Sequence, residues 1–176
     1  MANSTFSGPI RSESTIKTIS KNASTGTITE VTPLFTDINP ATGKIWTIEE
    51  IAEKDVPVGV STYSIVEDSV IPTDFSFREA WVGVGIGTTG ATIIEDITKA
   101  REVHKTNIRN ARKPKFAELD IQFQQALETS ADTSAIVAKK QALRDAPAAS
   151  GIATAANTAE LKAQWDTTNL GASPYS

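Results

Sequence analysis

A helical repeat dominates the second half of this sequence and limits what the chain can become. Ile97, Ala100, His104, Ile108 and Ala111 recur every three or four residues, the period that puts side chains on one face of an α-helix. Phe116, Leu119, Phe123, Ala126 and Leu127 carry a similar stripe onward. Between the two runs stands Pro114. Proline lacks an N–H and collides with the preceding turn, so a kink or a restart is expected there. Thr129 and Asp132 bound a break. A further helix is expected over 133–145, with Ile136, Val137 and Leu143 on one side, and Pro147 stops it. The spacing predicts a helical hairpin over residues 95–146.

Upstream the pattern changes to short strands and turns. Residues 1–33 are rich in Ser and Thr. Ile16, Thr18 and Ser20 alternate with Lys17, Ile19 and Lys21, a turn-like 22–26 follows, and Ile28 and Val31 alternate again. This reads as an extended β-rich arm or hairpin that pairs with the sheet edge of a neighbour. Residues 34–94 read as a small α+β body. Thr47 with Glu50 forms a capping box opening a helix that ends before Pro57. Residues 63–67 alternate as a strand, and Phe75, Phe77 and Trp81 lead through a helical turn into another.

Residues 147–176 read as a small-residue linker and a short C-terminal helix, capped by Asn157 with Glu160, with Leu161 and Trp165 on one face. The fold class is therefore α+β: an arm over 1–33, a body over 34–94, a helical hairpin over 95–146 and the tail over 147–176. Aromatic residues make up only 6% of the chain, which leaves a thin core and an expectation that partner subunits complete its stability.

Composition narrows the chemistry. The net charge of -4 disfavours a polyphosphate partner, so no nucleic acid is expected. The absence of cysteine excludes disulfides and thiolate metal sites. No apolar run approaches the roughly 18 residues that span a bilayer, and residues 1–11 lack a signal-peptide pattern. The expectation is a protein made in the cytoplasm and used in solution, without a membrane partner.

Four groups invite a functional reading. Gly85, Gly87 and Gly90 match G-x-G-x-x-G, but the β-branched Thr92, Ile93 and Ile94 follow where a dinucleotide site needs a helix, so a hairpin turn is expected. His104 is the only histidine and lies on the helical stripe, where packing suits it better than catalysis. Glu49, Glu50 and Glu53 read as a solvated helix face rather than a carboxylate pair. Lys99, Arg101, Lys105, Arg109, Arg112, Lys113 and Lys115 form the one basic stretch, expected to make salt bridges or a solvated face. No catalytic residue, metal ligand or cofactor is expected.

Interaction through surfaces is expected instead. The candidates are Phe6, Ile10, Ile16, Ile19, Ile28 and Val31 on the arm, and Trp165 at the tail. Trp46 and Trp81 are expected to share the core of the body, and Trp165 to pack against a neighbouring subunit.

The opening stretch of residues 1–13, beginning Met1-Ala2-Asn3-Ser4-Thr5-Phe6, resembles that of small virion structural proteins of tailed bacteriophages, cyanophages in particular. The stretch Ile45-Trp46-Thr47-Ile48-Glu49-Glu50-Ile51, then Val56-Pro57, Tyr63-Ser64-Ile65-Val66, Pro72-Thr73-Asp74 and Phe77-Arg78-Glu79-Ala80-Trp81, is similar to a module found near tail-fibre genes. So are residues 97–112, Leu119-Asp120 and 139–145. The resemblance implies a virion component, as capsid decoration or a tail or fibre appendage, partnered by other virion proteins and by copies of itself. A tail-fibre assembly chaperone absent from the finished particle is the alternative. It implies no catalytic residues.

Overall fold

The computed structural model describes residues 16–22, 28–32, 38–57, 60 and 62–175. The fold is α+β, with small sheets first and helices after. The chain divides into two compact units, one of residues 1–75 and 81–94, the other of residues 76–80 and 95–176.

The first unit is built on a three-stranded antiparallel sheet in which residues 16–21 pair with 28–31 along one edge and with 63–67 along the other. β1 is Ile16–Lys21, β2 is Ile28–Val31, and β5 is Tyr63–Glu67. The register sets Ile19 opposite Glu30 on one side and Ser64 on the other. Along β5, Ser64 and Val66 are buried while Ile65 and Glu67 are exposed, the alternation of a half-buried strand. Ile19, Val66, Ile71, Trp81 and Ile93 share a core.

Two smaller hairpins and a helix complete this unit. β3, Ile38–Asn39, pairs with β4, Lys44–Ile45. The turn between them closes with Gly43 N–H donating to the Asn39 carbonyl at 2.8 Å. The helix α1, Ile48–Asp55, begins at the expected capping box: Thr47 Oγ1 accepts from Glu50 N–H, and Glu50 Oε2 accepts from Thr47 N–H. 3₁₀ turns at Asp68–Val70 and Phe75–Ala80 lead to β6, Trp81–Val84, which pairs with β7, Thr92–Glu95.

The second unit is helical. The long helix α2, Ile97–Glu128, is capped by Asp96, whose Oδ1 accepts from the N–H groups of Thr98 and Lys99. α3, Ser134–Asp145, returns as the other arm of a hairpin. A 3₁₀ turn at Ala146–Ala148 and three short helices follow: α4, Ser150–Thr154; α5, Thr158–Ala163; and α6, Thr167–Leu170. Ile108, Leu119, Leu143, Ile152, Leu161 and Trp165 meet in one core.

Three expectations about these elements are corrected. Pro114 does not restart the helix, which runs unbroken from residue 97 to 128. Ala111, Phe116 and Leu119 on either side all pack against the core, and that packing outweighs the missing hydrogen bond. Residues 147–157 are not a linker, because Ile152 and Ala155 are buried against the same core and Arg101 Nη2 donates to the Ala155 carbonyl at 2.9 Å. Trp46 does not share the core with Trp81: it is half-buried and lies outside the cluster that Trp81 joins.

Candidate interaction surfaces

His104 sits at the centre of an aromatic cluster that ties the C-terminal segment to α2. Its ring is inaccessible to solvent. Tyr175 stacks on it with centroids 5.5 Å apart, and Phe77 stacks on Tyr175 at 5.1 Å. Trp165 stands edge-on to both His104 and Tyr175. The Tyr175 hydroxyl lies 2.7 Å from His104 Nδ1 and accepts from Asn107 Nδ2 at 3.2 Å.

Burial lowers the His104 pKa and raises that of Tyr175, the latter offset in part by the Asn107 hydrogen bond. Both groups are thus held neutral. His104 Nε2 has no hydrogen-bond partner among the described residues. A ring enclosed in this way meets no substrate from solvent. Its work is to fix the chain end, as its position on the stripe suggested. Trp165 is held further by Nε1 donating to the Gly171 carbonyl at 3.0 Å.

The basic stretch resolves into distinct roles. Arg101 is used internally, as described. Lys115 pairs with Glu118 at 3.5 Å. Lys105, Arg109 and Arg112 line a groove of about 450 Å³ together with Arg144 from the end of α3 and Pro147, Ala148, Ala149 and Ala153. Arg112 Nη1 donates to the carbonyls of Leu143 and Arg144 at 3.1 and 3.2 Å. The Arg112 and Arg144 guanidinium groups each lie 5.9 Å from the centre of the Phe116 ring. Lys105 pairs with Glu102 at 2.8 Å, and that contact, with Arg109 nearby, lowers the Glu102 pKa.

Large apolar side chains stand exposed on each unit. In the last part of α2 and the first turn of α3 these are Ile121, Leu127 and Val137, at 58%, 57% and 47% exposure. In the first unit, Ile38 and Ile45 face one another across the β3–β4 pair, and both are exposed.

The glycine motif is a hairpin turn. Gly85, Gly87 and Gly90 all have positive φ, between 66° and 92°, and Thr88 N–H and Oγ1 both bond to the Gly85 carbonyl. It joins β6 to β7 with no helix at its end. Among the described residues no group of three or more His, Asp or Glu side chains is placed to hold a metal. No helix among the described residues is long and apolar enough to cross a membrane.

The sequence-derived contact residues fall into three groups. Phe6 and Ile10 lie outside the described residues, as does the expected turn at 23–27. Ile16 is placed as a backbone position at the start of β1. Ile19 is wholly buried, while Ile28 and Val31 are half-buried in β2. Both edges of β1 are taken by strands of the same chain, so the segment 16–31 does not add to a neighbour's sheet through β1. Trp165 is 8% exposed and packs in the core of its own helical unit. Sequence reasoning missed Tyr175, the residue that completes the His104 cluster. Comparison with known protein families, curated proteins and solved structures finds no match to this chain.

Proposed function

We propose that this chain is a structural component of a tailed-phage virion that acts through assembly contacts, as capsid decoration or as a tail- or fibre-associated appendage. The observation that carries the reading is the exposure of three large apolar side chains, Ile121 and Leu127 in the last part of α2 and Val137 in the first turn of α3. Side chains of this size left in water are candidates for burial by a partner. The resemblance of residues 1–13 to small phage virion proteins, and of the stretches from Ile45 to Trp81 to a module found near tail-fibre genes, supports the same reading.

Mass spectrometry of purified virions tests it. Detection at a stoichiometric level is the expected result. Abundance in the infected cell with absence from the particle would instead assign the chain to fibre assembly as a chaperone. A Leu127→Asp and Val137→Asp variant should keep its circular dichroism and yet fail to incorporate.

A further inference from the structure

We infer that the groove between α2 and the 144–153 segment is a binding site for a compact phosphate-type anion, which the assembly role does not require. Lys105, Arg109 and Arg112 lie at i, i+4 and i+7 on α2 and so share one helix face. Arg144 joins them from α3. Four cations thus border a single groove, and among the described residues the only carboxylate bonded to any of them is Glu102, on Lys105. Four positive charges less one leaves about three uncompensated, on a chain whose net charge is -4.

The remaining contacts position these cations without neutralising them. Arg112 is held by two backbone carbonyls, which satisfy its N–H groups and leave its charge intact. Arg144 donates to the neutral Gln141 at 3.2 Å. Both guanidinium groups flank the Phe116 ring, which keeps them in place through its apolar face. Arg109 is exposed; Glu102 acts on its charge without a salt bridge or hydrogen bond being formed among the described residues. The opposite wall of Pro147, Ala148, Ala149 and Ala153 brings no side-chain polar group to compete for the ligand.

Guanidinium forks match the oxygens of a phosphate in pairs. A carboxylate brings one charge to this groove, whereas a pyrophosphate or phosphomonoester brings two or more in the same space. The groove has the size of a small-ligand site rather than a polymer track. The ligand class is therefore a free phosphate ester or the exposed phosphate end of a larger molecule.

Titration calorimetry of the full chain with pyrophosphate tests this, with citrate and a short single-stranded DNA as comparison ligands. One-to-one binding of pyrophosphate that weakens as salt rises is expected. Arg109→Gln and Arg144→Gln should each weaken it about tenfold, the size of a hydrogen bond to a charged group. Lys99→Gln, on the same helix outside the groove, should leave it unchanged. Both arginine side chains are exposed, so unfolding does not confuse the result, and melting curves of the variants verify that. No binding of pyrophosphate overturns the assignment. So does equal weakening by Lys99→Gln, citrate binding as tightly, or binding of the DNA alone.

Discussion

The Tyr175 hydroxyl lies 2.7 Å from Nδ1 of His104, a residue 71 positions earlier in the chain. One short contact thus ties the C-terminal segment to the first part of α2. Removing the hydroxyl while keeping the ring should expose its value. Tyr175→Phe leaves Nδ1 of a buried imidazole without its partner, at a cost of about 1–3 kcal/mol. Tyr175→Ala also removes the stacking on His104 and Phe77 and should cost more, about 3 kcal/mol or above. Urea unfolding of the three proteins compares these values. Equal stability of all three would show that Tyr175 contributes nothing to the fold.

The same pair gives stability a pH dependence with two signs. Burial holds the His104 pKa below its ordinary value. As pH falls through about 6.5, the unfolded chain takes up a proton that the native state refuses, so stability drops by at most about 1.4 kcal/mol per pH unit. The contribution is complete above that range. Tyr175 behaves oppositely, because its raised pKa keeps a proton in the native state that the unfolded chain loses above about pH 10. Stability should fall as pH rises through that value. His104 is the only histidine, so His104→Gln should flatten the slope on the acid side of neutrality. An unchanged slope would assign it to carboxylates.

The β6–β7 turn separates two effects of a side chain at glycine. Gly87 has φ of +92° and donates its N–H to Ser64 Oγ at 2.7 Å, and a Cβ there would collide with Thr62 Cγ2. Gly90 has φ of +81° with open space around it. Gly90→Ala should therefore cost only the left-handed backbone penalty, about 1–2 kcal/mol. Gly87→Ala should cost visibly more on the same urea scale. Equal effects would mean that Thr62 moves aside freely.

What the sequence reveals about this fold depends on how local the signal is. The capping box at Thr47 and Glu50, the cap at Asn157 and the three turn glycines all lie within a few residues of what they control, and each forms as the spacing indicates. The helical stripe from Ile97 is equally legible, since Ala100, His104 and Ile108 are all buried. Partner choice is not local. Nothing in a Ser- and Thr-rich strand says that β1 will sit between β2 and β5, because backbone hydrogen bonds make that pairing. Tyr175 follows Gly171, Ala172, Ser173 and Pro174, which carry no periodicity, and its contact forms only once the helices have packed. The basic groove was hidden for the same reason: Arg144 joins Lys105, Arg109 and Arg112 only when the hairpin closes.

Pro114 supplies the sharpest conflict between local preference and packing. It sits inside α2, where a proline costs about 3 kcal/mol relative to alanine. Its missing N–H deprives the Asn110 carbonyl of its helical donor. Pro114 itself is exposed, so it contributes no core contact that alanine would lose. Pro114→Ala should therefore stabilise the second unit, by about 1–3 kcal/mol, and raise the melting temperature. The outcome that would refute this is destabilisation. It would mean that a bend at Pro114 is what brings Phe116 and Leu119 against the core, and that the helix keeps its proline for that shape.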